Sequence, residues 1–161
     1  MAIFFWDSKG IIFWHFLQQN ENMNALLYCQ MLGHLKNAIE KKRRRSLRNS
    51  NHFMHLQNDD ATPHRTRITV EKFNGINLPT ICHPPYSQDL SPSDFFLLKS
   101  FLSGKIFTSH DDVRQTVERW FASKSVYFFA AGIYMHQTDG KNVLMSISFF
   151  KINVYNDPLF L

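Results

Sequence analysis

Two short apolar runs open the chain. Residues 2–6 and 11–17 are almost continuously Ile, Phe and Trp. Between them, Asp7-Ser8-Lys9-Gly10 is a turn sequence, so the pair predicts a β-hairpin. Both runs lack a regular apolar/polar alternation, which is the pattern of strands covered on both faces.

The period then changes. In residues 24–42, Leu27, Met31, Leu35 and Ala38/Ile39 recur at steps of three and four, which predicts a helix with one buried stripe. Asn24 is its expected N-cap. Its end runs into Lys41-Lys42-Arg43-Arg44-Arg45, cations that suit a helix C-terminus. Residues 46–51 read as a polar loop, and residues 52–57 as a short strand ending at Asn58-Asp59-Asp60. Pro63 opens a helix over 64–74 that Gly75 stops. Residues 78–83 suit another strand, broken by Pro84-Pro85, with a loop to Pro92. Ser93-Asp94 begins a helix with Phe95, Leu98, Phe101 and Leu102 on one side, ended by Gly104. Ser109 with Asp112 resembles a capping box for a further helix that buries Val113, Val117, Trp120 and Phe121. Beyond residue 125 the patterning weakens, and the Phe- and Ile-rich stretch from Leu144 to Leu161 has no clear period. The order β-β-α-β-α-β-α-α is a mixed α/β pattern.

The chain has 161 residues, enough for one domain with a core. At 44% hydrophobic and 15% aromatic, the composition excludes a disordered or fibrous chain. The net charge of +5 fits a polyanionic partner but is weak evidence by itself. Cys29 and Cys82 have neither disulfide-framework nor zinc-ligand spacing and read as buried thiols in a reducing compartment. The start carries Asp7 and Lys9 and no cleavage signal, so no leader is expected. No stretch reaches the roughly 20 apolar residues of a membrane span. A soluble, intracellular protein is expected, with no membrane partner and no small-molecule substrate.

Asp59 falls at the expected C-terminal end of a strand and Asp94 at the expected start of a helix. Between them lie 34 residues. Carboxylates at such ends can converge on one sheet edge, where open α/β folds place their sites. Paired carboxylates suit Mg²⁺, and two ions about 3.5–4 Å apart clamp the attacking and leaving oxygens of a phosphodiester. From position alone, aspartates at element ends serve more often as caps or solvated charges.

The surrounding segments add a resemblance. The run His83-Pro84-Pro85-Tyr86-Ser87-Gln88-Asp89-Leu90-Ser91-Pro92-Ser93-Asp94 resembles the HPPYSPDL(A/S)PSD signature of mariner transposases, and Asp59-Asp60-Ala61-Thr62-Pro63-His64 resembles their DNA(R/P)PH motif. Trp6-Asp7-Ser8-Lys9-Gly10-Ile11-Ile12 is similar to the family's WDxKGII hairpin. Leu27-Tyr28-Cys29-Gln30 with Leu35-Lys36 and Ala38-Ile39 is similar to its LYCQQL..LK.AI helix. Gly104-Lys105, Phe107 and Ser109 resemble its GK.F.S segment, and Trp120-Phe121-Ala122-Ser123-Lys124 its FFASK segment. The likeness spans residues 5 to about 133. It is nearest to the subgroup whose transposase half is fused to a SET methyltransferase. No SET-like segment or Gly-rich cofactor loop is present, so methyl transfer is not implied.

The resemblance implies a ribonuclease H-like domain: a five-stranded mixed sheet with helices on both faces. It implies Asp59 and Asp94 as catalytic, metal-binding residues, with Mg²⁺ or Mn²⁺ as cofactor, DNA as partner and the nucleus as location. In the family a third catalytic Asp lies on a strand upstream of the hairpin, so the expected fold lacks its first strand. The hairpin and the strand near 52–58 then lose their shared partner and expose open edges. A homodimer or a completing chain is the expected remedy, and an inactive catalytic centre the expected result. Residues 1–125 form the expected partial catalytic domain, and residues 126–161 a divergent C-terminal helix and tail. Asp60 and Gln88 depart from the family's usual Asn and Pro. Gly140 stands where a family Trp would align.

Lys41, Lys42, Arg43, Arg44 and Arg45 read equally as a solvated helix end and as a phosphate-contacting or nuclear-import patch. His64 matches a family position beside the site and is a further candidate for nucleic-acid contact; its alternative is an exposed residue in a helix's first turn. His52 and His55 point to opposite faces of a strand and make a poor ligand pair. A non-enzymatic module that binds nucleic acid or protein is the competing functional reading.

Overall fold

In the computed structural model, the residues described are 2–18, 21–44, 54–57, 62–81, 98–134 and 148–155. The expected loops at 46–51 and 84–92, the Asn58–Asp60 strand end and the Ser93-Asp94 helix start lie outside them.

The hairpin forms as the apolar pattern predicts. Strands β1 (Ala2–Asp7) and β2 (Gly10–Phe16) pair antiparallel. Gly10 closes the turn at φ +119°, a conformation that only glycine adopts without strain. The register slips between Phe5 and Trp6: Phe5 faces Phe13 and Trp6 faces Ile11, so Ile12 is the extra residue of a bulge. Every residue of β1 is buried, because its alternate side chains enter two different cores. Ile3 and Phe5 join one cluster; Ala2, Phe4 and Trp6 join the other.

The first core is built with helix α1 (Ala25–Lys42). The Asn24 carboxamide caps it, accepting from the Leu27 N–H at 2.9 Å. Met31, Leu35 and Ile39 of the expected stripe are buried, joined by Tyr28 and Leu32. The expected single helix over 64–74 is two pieces, α2 (Thr62–Arg65) and α3 (Arg67–Ile76). Thr66 is extended at ψ 153° and caps α3. The fully buried Thr69 hydroxyl donates to the Pro63 carbonyl at 2.7 Å, which leaves it to accept from the Thr66 hydroxyl at 2.8 Å. Side chains thus take over the backbone bonds that the break releases. The helix also passes Gly75 and stops at Asn77, which takes the left-handed conformation at φ 53°.

The second core lies on the opposite face. Helix α4 (Lys99–Leu102), α5 (His110–Ala122) and α6 (Val126–Tyr134) supply Leu102, Val113, Val117, Phe129 and Ile133. Ser109 caps α5, accepting from Asp112 N–H at 3.1 Å. The return bond goes from Thr108, not Ser109, to the Asp112 carboxylate, so the expected box is offset by one residue.

Strands β3 (Met54–Gln57) and β4 (Thr80–Ile81) are parallel to each other, and the tail supplies a fifth strand, β5 (Ser148–Tyr155). The sheet order is β2-β1-β5-β3-β4. The edges of β1 and β3 that the sequence left without a partner are therefore both occupied. β5 runs antiparallel to β1 and parallel to β3. The expectation of two open edges is overturned, because a segment without visible periodicity takes the central slot.

Candidate functional site

The C-terminal ends of the parallel strands β3, β4 and β5 lie at one edge of the sheet. Chain segments leaving that edge are where an open α/β sheet collects its functional groups. Asp59 follows β3 by two residues, and Asp94 precedes α4 by five. Both lie outside the described residues, as does Arg45. Among the described residues, no group of three or more His, Cys, Asp or Glu side chains is placed to hold a metal ion.

The central strand carries a further observation about this edge. β5 reads Ser-Phe-Phe-Lys-Ile-Asn-Val-Tyr and contains no carboxylate. Lys151 lies opposite both Gln57 of β3 and Trp6 of β1. The strand that neighbours β3 therefore contributes no acidic residue.

The basic run at the end of α1 divides in two. Lys41, Lys42 and Arg44 are exposed. The Lys42 ammonium reaches back to the Ile11 carbonyl at 3.4 Å, laying its stem along the hairpin. That partial burial, with the neighbouring Arg43 and Lys41 charges, lowers its pKa below the ordinary lysine value. Arg43 is different. Its guanidinium is mostly buried in an ion pair with Asp7, whose side chain is only 2% exposed. Of the expected patch, Arg43 is the residue engaged by a carboxylate of the hairpin turn. Asp7 is legible in the sequence only as a turn residue; a long-range carboxylate partner for one arginine in a run of cations leaves no local signal.

His64 is buried, which overturns the alternative of an exposed first-turn residue. It is 5% exposed, with its ring 4.2 Å from that of Tyr28. The ring is thus packed against α1 rather than exposed in the first turn of α2. The family-like spacing identifies the residue but not its direction. Cys29 is half-buried rather than buried, with its sulfur 3.6 Å from the Ile68 carbonyl.

Comparison with known proteins places this architecture. A family model described as "Transposase (partial DDE domain)" matches residues 1–49. The chain is 31% identical over 137 residues to the Mariner Mos1 transposase of Drosophila mauritiana, covering 83% of this chain and 39% of that protein. The crystal structure of the Mos1 catalytic domain superposes with a TM-score of 0.76 at 30% identity, over 83% of this chain and 67% of that one. The chain belongs to the mariner transposase family. The mixed sheet flanked by helices is thus the ribonuclease H-like fold that the motifs implied. A second relative, human Histone-lysine N-methyltransferase SETMAR, is 28% identical over 136 residues, covering 83% of this chain and 20% of its own length. The chain thus spans about two-fifths and one-fifth of these two relatives. The Mos1 catalytic domain has also been solved with Raltegravir and Mg, and Mos1 itself in a pre-cleavage transpososome.

Proposed function

We propose that this chain is a mariner-type DNA-transposase catalytic module that engages DNA but, by itself, does not cleave it. The observation that carries the reading is the composition of β5. The family's third metal-binding Asp belongs to a strand, and the strand beside β3 in this chain has Lys151 and no carboxylate. Asp59 and Asp94 are hard oxygen donors suited to Mg²⁺ or Mn²⁺. The Mos1 structures named with Mg and with Mn support that choice of ion. Two carboxylates without a third fall short of the two-ion clamp that phosphodiester cleavage uses.

DNA is the proposed partner. Lys41, Lys42 and Arg44 form an exposed cationic end on α1, and the named Mos1 complexes include a strand transfer complex. Such a protein acts in the nucleus. The competing reading, a binding module with no catalytic past in use, shares the DNA contact and differs only in whether Asp59 and Asp94 matter.

A strand-cleavage assay with Mg²⁺ or Mn²⁺ on supercoiled plasmid tests the proposal. The chain is expected to bind DNA with salt-sensitive affinity and to leave the plasmid intact. Metal-dependent nicking that disappears in both Asp59→Ala and Asp94→Ala would overturn it and establish an active nuclease.

A further inference from the structure

The order of strands in the sheet is not the order of strands in the chain. β5 is the last strand in sequence and the middle strand in space. Its eight residues include no Gly or Pro and are rich in aromatic and β-branched types, a composition suited to a ladder bonded on both sides. Residues 135–147 connect it to the end of α6.

The pairing is staggered. Ser148 to Lys151 face Met54 to Gln57 of β3, whereas Lys151 to Tyr155 face Trp6 to Ala2 of β1. Lys151 is the only position of β5 paired on both sides. β1 and β3 have no pairing with each other. β5 therefore splices two sub-sheets, the hairpin and the β3–β4 pair. β3 has four residues and β4 two, too few to hold as an isolated pair.

We propose that the gap between β1 and β3 is a strand-acceptor site, that residues 148–155 are its resident strand, and that this strand exchanges with an extended peptide of the same sequence. Recognition is by backbone ladder bonds, as in β-strand addition. The direction of the guest is fixed, because it must run antiparallel to β1 and parallel to β3 at once. This inference is independent of whether the chain cleaves DNA.

The test uses the full chain and a fluorescein-labelled peptide of residues 146–157. By amide hydrogen exchange, residues 148–155 are expected to be protected together with residues 2–6 and 54–57. Labelled peptide in excess is expected to incorporate slowly into the wild-type chain. Ile152→Pro, which puts a proline opposite Phe5 within the central strand, should raise incorporation at least tenfold. A peptide of residues 146–157 carrying proline in place of Ile152 should not enter, because recognition is by the backbone ladder. Exchange of residues 148–155 at the rate of a free peptide, while β1 and β3 stay protected, would overturn the proposal. So would failure of the peptide to bind an Ile152→Pro chain that keeps its helical circular dichroism. If that variant loses its fold, labelled-peptide incorporation into the wild-type chain decides, and no incorporation above that of a scrambled peptide would overturn the proposal.

Discussion

Arg43 fastens the end of α1 to the hairpin turn through Asp7. Its Nε lies 2.7 Å from Oδ2 and its Nη2 2.9 Å from Oδ1. The same Oδ1 accepts the Lys9 N–H at 2.8 Å, so one carboxylate shapes the turn and anchors the helix. Bidentate geometry of this kind is specific to arginine.

Removing either partner strands a buried charge. Arg43→Ala and Asp7→Ala are each expected to destabilise the fold by about 3–5 kcal/mol, read from urea denaturation. Arg43→Lys should recover only part of this, because an ammonium cannot reproduce the fork. The double variant Asp7→Leu/Arg43→Met should regain most of the loss, short of the turn bond at about 1 kcal/mol. Single variants within about 0.5 kcal/mol of wild type, the range of an ordinary surface substitution, would show that the pair holds nothing.

The hairpin turn gives a second prediction. Gly10 sits at φ +119°, and a Cβ there would lie 3.6 Å from the Phe129 ring, an ordinary contact. The cost of Gly10→Ala is therefore conformational, about 1–3 kcal/mol. Gly104 at φ 75° occupies the milder left-handed region with open space around it, so Gly104→Ala should cost about 1 kcal/mol. Thermal melts that rank the two in the opposite order would contradict this.

Lys42 sets a pH dependence. Its folded pKa lies below the ordinary 10.5 through partial burial first, then through Arg43 and Lys41. Between the lowered value and 10.5 the unfolded chain binds more protons at this position than the folded one. Stability contributed by this group therefore rises with pH across that window. Lys42→Gln should remove that increment. Chemical denaturation of both proteins at several pH values below 10.5 measures the difference, and parallel curves would refute it.

DNA binding should separate the exposed cations from the buried ones. Replacing Lys41, Lys42 and Arg44 by Gln should flatten the slope of log K against log salt by about 2–3, at roughly 0.9 for each phosphate that a cation no longer neutralises. His64→Ala should leave the slope unchanged and lower the melting temperature, because its ring packs on Tyr28. An unchanged slope in the triple variant would move the phosphate-binding surface elsewhere on the molecule.

Elements with local signatures are readable from the sequence. The hairpin, the α1 stripe with its Asn24 cap, and the Ser109 cap of α5 all follow from residue types a few positions apart. The break at Thr66 is hidden because its stabilising hydroxyl bonds involve Pro63 and Thr69 in a geometry that periodicity does not encode. β5 is hidden for a deeper reason. Its stretch Phe150-Lys151-Ile152-Asn153-Val154 alternates only briefly, and its partners in β3 and β1 lie far away in sequence, so no local signal names them. The candidate site divides the same way. The family-like motifs single out Asp59, Asp94 and His64 by spacing, but burial of His64 and capture of Arg43 by Asp7 depend on tertiary packing.

The position of β5 also constrains how the molecule is made. A ribosome emits β1 well over a hundred residues before the strand that must lie against it. At about 5–20 residues per second the hairpin waits on the order of ten to thirty seconds with its inner edge bare. During that interval the nascent protein presents the kind of edge that recruits chaperones or neighbouring chains, and closure of its sheet waits until residues 148–155 have emerged.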